Sequence, residues 1–239
     1  MRRFAVAMLA GAVLAAPAAA EARAKVDVMV VGRTAVLAGP ERVALKSRSA
    51  KVAGTRCATG RATPLSVLAG TGVRFRLRDY GACSDRPRDA GSLYVRKIGP
   101  DAARGADGWV YKVGRRVGSG GGADPAGSFG TGRTLRAGQR VLWFWCVKDA
   151  ADACQRTLET SSAAAVAPGA PLAVTVRGYD EAGKGVAVRG ATVRLGEATA
   201  VTGADGVATL IAPAAAGRYR LRAGRPGMVV SFPSRVAVG

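Results

Sequence analysis

The 239-residue chain contains no histidine and no asparagine, and only 5% of it is aromatic. Without an imidazole there is no Ser-His or Cys-His pair to activate a nucleophile. Without asparagine a Lys–Asn isopeptide crosslink of the kind found in some surface adhesins is excluded. The chain has four cysteines but no C-x-x-C, the usual frame for thiol–disulfide catalysis. Nor do the cysteines have the C-x₂-C or C-x₄-C spacing of a zinc site. Asp85 with Asp89, and Asp101 with Asp107, lie close in sequence. Neither pair sits in a recognisable glycosidase or calcium-loop pattern. Long amphipathic helical patterns are missing, and no apolar run reaches the roughly 20 residues of a spanning helix. The expectation is a protein with no catalysis of its own, no metal and no cofactor.

What is present begins at the first residue. Arg2 and Arg3 precede an apolar run from Phe4 to Leu14, and small residues continue to Ala20. Charged start, apolar middle and small-residue end are the three parts of a secretory signal peptide. It is assigned to residues 1–24, with cleavage after Ala20 or Ala24. A secreted or cell-envelope protein follows, with no transmembrane segment after cleavage. In that compartment Cys57, Cys83, Cys146 and Cys154 can form two disulfides, and three connectivities are open. Seven residues separate Cys146 from Cys154. A bridge clamping that short loop is sterically easy, and it leaves Cys57 for Cys83. The loop-entropy model values these bridges at about 2.5 and about 3.5 kcal/mol.

The formal net charge is +20, and removal of the leader takes away two units. Such a field attracts polyanions: wall polymers, anionic lipid headgroups, nucleic acid or acidic glycans. The competing reading is scattered, solvated arginine, because Arg far outnumbers Lys and no dense run occurs. The expected partner is an unknown extracellular ligand or an envelope polyanion, and no nucleic acid.

The pattern of the mature chain is mainly β. Val26, Val28 and Val30 alternate with polar or opposite-facing residues. Thr63-Pro64 is a helix start, with Thr63 as N-cap and Pro64 at the first helical position. Val73 to Arg78 alternates strictly, which turns Arg74, Arg76 and Arg78 outward as a basic stripe. Further strands are expected at Leu93–Ile98, Gly108–Val113 and Val141–Cys146. The Gly- and Ser-rich segment Ser119–Gly138 is expected to be a flexible loop. Small residues and prolines make 161–171 a linker. Six or seven short strands after it describe a small sandwich, with a hairpin turn at Gly203–Gly206.

Two resemblances follow from these motifs. Thr63-Pro-Leu65, Asp79-Tyr-Gly81, Gly91 to Ile98, Gly108 to Val113 and Leu135 to Trp143 occur in one order. In that order residues 25–160 resemble the C-terminal-like domain of transcobalamin and its bacterial relatives. The resemblance implies a β-grasp-like fold, a curved sheet holding one short helix. The large helical domain of the vitamin carriers is absent from this chain, so cobalamin binding does not carry over. Gly190 to Leu195, Thr202 to Thr209 and Gly217 to Ala223 make residues 172–239 similar to the carboxypeptidase-regulatory or transthyretin-like sandwich, close to bacterial immunoglobulin-like modules. Such domains serve as spacers or adhesion modules.

Trp109 and Tyr111 share one strand face, as do Trp143 and Trp145, with Phe144 opposite. They are read either as core or as a stacking platform for a ligand, and in a regular strand Trp143 or Phe144 faces away from the core. The expected whole is a secreted, non-catalytic binding or adhesion module. The alternative is a structural envelope protein held to anionic wall polymers by its charge.

Overall fold

The computed structural model describes residues 24–239; the expected leader and cleavage sites lie outside the described residues, apart from Ala24. The fold is mainly β with one short α-helix among the described residues. The first sheet joins β1 (Lys25–Val31), β2 (Val36–Ala44), β8 (Gly108–Val113), β9 (Arg116–Val117) and β10 (Arg140–Cys146) in the order β2-β1-β10-β8-β9. Strand β10 enters parallel to β1, between two antiparallel hairpins. A late strand thus lies beside the first, and the one short helix packs on a face of the sheet.

That helix, α1 (Pro64–Leu68), is fixed at its start. Thr63 Oγ1 accepts the Ser66 amide at 3.1 Å, and Ser66 Oγ accepts the Thr63 amide at 3.1 Å. This reciprocal capping satisfies two otherwise orphaned donors. Leu65, Val67 and Leu68 are fully buried against Val26, Val28, Val30, Val141 and Trp143. Each leucine contributes about 2 kcal/mol through its removal from water.

The other side of this core is closed by a three-stranded sheet, β5 (Phe75–Asp79), β6 (Leu93–Ile98) and β7 (Asp101–Ala102). Beside it lies the hairpin of β3 (Ser49–Val52) and β4 (Thr55–Ala58). Two disulfides are present. Cys57–Cys83 ties β4 to the loop after β5, and Cys146–Cys154 closes the short loop after β10.

The sandwich starts earlier than composition suggests. Strand β11 (Thr157–Ser162) pairs with β13 (Pro171–Tyr179), and β12 (Ala165–Val166) runs parallel to β19 (Ser234–Val238). Five of the eleven residues of the expected linker 161–171 therefore belong to strands. Small residues make good linkers, but here their backbone groups complete sheet edges. One sheet is β11-β13-β14 (Gly185–Ala187) with β17 (Val207–Ile211) also on β13. The other is β12-β19-β18 (Gly217–Gly224)-β15 (Thr192–Leu195)-β16 (Ala198–Val201). Between them lie Leu158, Val174, Val176, Val193, Leu195, Leu210, Leu221 and Val236. The turn at Gly203–Gly206 forms, with Asp205 Oδ1 accepting the Val207 amide at 3.0 Å. It leads from β16 in one sheet to β17 in the other, so it is a crossing and not the expected hairpin.

The two domains share a third core. Met29, Val31, Leu142 and Phe144 on the far face of the first sheet pack against Val229, with Val110, Val230 and Phe232 at the edges. The residues from Met228 to Pro233 are irregular apart from a bridge at Val229 and serve as this plug.

Candidate functional site

The aromatic residues do not form a platform. Trp109, Tyr111, Trp143, Phe144 and Trp145 are all buried, Trp143 at 2% exposure. Tyr111 and Trp143 lie 5.1 Å apart by ring centroid, and Trp109 meets Trp145 edge-on at 5.8 Å. Their polar ends are mostly used inside. Trp143 Nε1 donates to the Pro64 carbonyl at 3.1 Å, Trp109 Nε1 to Asp101 O at 2.9 Å, and Tyr111 OH to Gly120 O at 2.9 Å. Burial raises the Tyr111 phenol to about 12. Phe144 does face away from the first core, as alternation demands, but the sandwich covers it. A ligand surface at these five positions is corrected to core.

The Gly-rich segment belongs to the same packing and is not a loose loop. Gly122 O accepts the Leu65 amide at 2.6 Å, Ser119 N donates to Ser128 O at 2.9 Å, and Gly127 bridges to Arg133. Glycine is required at 118, where a Cβ would overlap the Tyr111 ring, and at 122, where it would press on Trp143. The backbone thus lies directly on the aromatic rings.

The arginine stripe, by contrast, is open. Arg74, Arg76 and Arg78 are exposed, while Leu77 between them packs on the core. On β6, Lys97 lies opposite Arg76 and Tyr94 opposite Arg78. The register shifts by one residue there, so Arg96 and Lys97 together face the single Arg76. A bulge of this kind holds two neighbouring side chains near one face and re-aims them. Tyr80 follows at 62% exposure, its ring 4.6 Å from the Arg78 guanidinium carbon and 6.1 Å from the Tyr94 ring. An open groove of about 820 Å³ runs between this face and the β3–β4 hairpin. Arg76, Arg78 and Arg96 line one side, Val52, Ala53 and Thr55 another.

One carboxylate, Asp79, also lines the groove. Its oxygens are turned onto its own loop: Oδ2 accepts Cys83 N at 2.7 Å, and Oδ1 accepts Ser92 Oγ at 2.7 Å and Gly81 N at 3.0 Å. The Cys83 amide first, then the Ser92 hydroxyl, hold this acid below the usual carboxylate range. No ion pair joins Asp79 to the arginines among the described residues. The Cys57–Cys83 bridge anchors the same loop, so the cysteines position the groove rather than act in it.

Of the other carboxylates that sequence singled out, Asp85 is exposed, and the remaining three hold local structure. Asp89 Oδ2 accepts the Ser84 hydroxyl at 2.6 Å, and Asp101 Oδ2 the Arg33 amide at 3.0 Å. Asp107 Oδ1 accepts the Lys148 amide at 2.9 Å. Sequence reading found Arg74, Arg76 and Arg78 but missed Arg96, Lys97, Tyr80 and Tyr94. The alternation in Leu-Tyr-Val-Arg on the next strand was a signal for Tyr94, whereas Tyr80 lies past the end of β5 and Arg96 and Lys97 face Arg76 together only through the register shift. What the face offers chemically is a row of guanidinium forks for oxyanions, with an exposed ring for the flat side of a sugar. A comparison with known protein families and with curated proteins finds no match to this chain.

Proposed function

We propose that this is an exported, non-catalytic binding module of the cell envelope, whose β5–β6 face holds an anionic glycan. The observation that carries the reading is the row of Arg76, Arg78, Arg96 and Lys97 across β5 and β6, with exposed Arg74 just before β5, Tyr80 against Arg78 at the far end, and Asp79 spent on its own loop. A uniformly solvated surface would interleave both signs of charge; this one does not. Two disulfides suit an oxidising compartment. No helix among the described residues is long and apolar enough to cross a membrane. The order β2-β1-β10-β8-β9 supports the resemblance to the transcobalamin C-terminal-like domain, and the two packed sheets support the sandwich resemblance. The sandwich then acts as the rigid mount of the binding domain.

The alternative, a structural envelope protein held by bulk charge, draws on the imbalance over residues 24–156, where 24 Lys and Arg stand against 10 Asp and Glu. Binding to immobilised polygalacturonate, with neutral dextran as comparator, separates the two. A site on β5–β6 loses at least tenfold in affinity with Arg76→Glu/Arg78→Glu, whereas Arg42→Glu/Arg61→Glu leaves it nearly unchanged. Equal losses from both pairs mean bulk charge. No retention of the wild type at low salt refutes the reading.

A further inference from the structure

The outer face of the second sandwich sheet carries an arrangement that folding alone does not favour. Strands β15, β18 and β19 turn Val193, Leu195, Leu221, Ala223 and Val236 into the sandwich core. Their alternate positions therefore point outward. In the observed register Arg194 lies directly opposite Arg222, and Arg220 directly opposite Arg235. Like charges facing each other across a sheet destabilise it. Two such pairs stand side by side, since Arg220 and Arg222 are two residues apart on β18.

Nothing among the described residues offsets this repulsion. Among the described residues, none of the four arginines makes an ion pair or a side-chain hydrogen bond. Arg222 Nε is buried and has no partner. A buried N–H without an acceptor is costly, and a bound oxyanion is one way to supply the acceptor.

We infer that this face is a second anion-binding site, which takes the phosphate groups of a phosphodiester polymer through Arg194, Arg220, Arg222 and Arg235. Adjacent strands are about 4.8 Å apart, so each opposed pair can close on one oxyanion with its planar forks. The four positions hold arginine without a single lysine, as bidentate recognition requires. The two pairs are offset by about one strand spacing and about 6.7 Å along β18, which places their centres about 8 Å apart. That spacing suits successive phosphates of a polymer. A lipid surface fits less well: no aromatic side chain is exposed on these strands to anchor at a membrane interface.

The inference does not depend on the β5–β6 face, and one variant separates them. Arg220→Gln/Arg235→Gln is compared with the wild type as full-length mature protein, using a poly(glycerol phosphate) oligomer as probe. Loss of one repelling pair should leave the ligand-free melting temperature unchanged or higher. Affinity for the oligomer should fall about tenfold or more. The dependence of log K on log salt should become shallower by about 1.4, at about 0.7 per lost contact. Polygalacturonate binding, the readout for the β5–β6 face, should not move. A melting temperature lowered by several degrees would make these arginines structural and overturn the site. Unchanged oligomer affinity would overturn it too. Equal binding of polyglutamate of matched charge would remove the phosphate assignment, and tighter binding to phosphatidylglycerol vesicles would replace the polymer with a membrane. Failure of polygalacturonate binding alone, with oligomer binding intact, would refute the proposed function and leave this site standing.

Discussion

Lys112 Nζ donates to Thr157 Oγ1 at 3.0 Å, joining the first sheet to the first strand of the sandwich. The same ammonium donates to the carbonyls of Tyr179 at 2.9 Å and Asp180 at 2.8 Å. At 1% exposure it is among the largest fully buried side chains of the chain. Its three donors are matched by three acceptors, which makes it a buried polar anchor between the domains, beside the more exposed Arg115–Glu159 pair at 2.9 Å.

Lys112→Ala should therefore cost more than its small loss of apolar surface. It leaves two buried carbonyls and a hydroxyl without their donor, a penalty of about 2–4 kcal/mol. Urea denaturation should show the loss, and limited proteolysis should show new cleavage near Asp180. A variant as stable as the wild type would mean that water or rearrangement replaces the ammonium freely.

The pH dependence of stability follows from two neighbours on β8. Burial lowers Lys112 to about 8 from 10.5, although Asp180, Glu181 and Glu159 pull it upward. Between pH 8 and 10.5 the unfolded chain holds more of that proton, so stability rises with pH there. Tyr111 is raised to about 12 from 10, so the folded state keeps its proton longer and stability falls from pH 10 to 12. Subtracting the Lys112→Met curve from that of the wild type should isolate the first rise. A flat difference between pH 8 and 10.5 would contradict the buried, charged lysine.

Two glycines in one loop region should behave differently. Gly118→Ala drives a methyl group into the Tyr111 ring and should cost about 1–3 kcal/mol. Gly130→Ala meets nothing within 4 Å and pays only for its φ of +66°, about 1–2 kcal/mol. Tyr111 fluorescence should shift in the first variant and not in the second. The same response from both would mean that the loop does not lie against the ring.

Removing the disulfides one at a time tests their separate roles. Cys57→Ser/Cys83→Ser opens a loop of 26 residues and should cost about 3.5 kcal/mol. Cys146→Ser/Cys154→Ser opens one of eight and should cost about 2.5 kcal/mol. Thermal unfolding of the two variants gives the order. The first should also weaken polygalacturonate binding, because Cys83 anchors the loop that holds Asp79.

The strands, the helix cap at Thr63 and the cysteine pairing were legible because each depends on neighbours in sequence or on simple counting. Arg74, Arg76 and Arg78 were legible for the same reason. Trp143 and Phe144 were not, because alternation says only that they face opposite ways, while the sandwich that covers Phe144 arrives from Val229 and Phe232. Arg96 and Lys97 join the basic face through a one-residue bulge, a matter of pairing between strands that no single segment records. The opposed pairs Arg194–Arg222 and Arg220–Arg235 likewise exist only once register is known. The residues 161–171 read as linker because composition reports flexibility but not the sheet edges waiting to pair with it.

Hydrogen exchange with and without polygalacturonate tests the proposed surface most directly. Slowed exchange over residues 74–80 and 94–97, with the strands carrying Trp109 and Trp143 unchanged, is the expected result. Slowing confined to the aromatic strands, or none over β5 and β6 at saturating glycan, would contradict it.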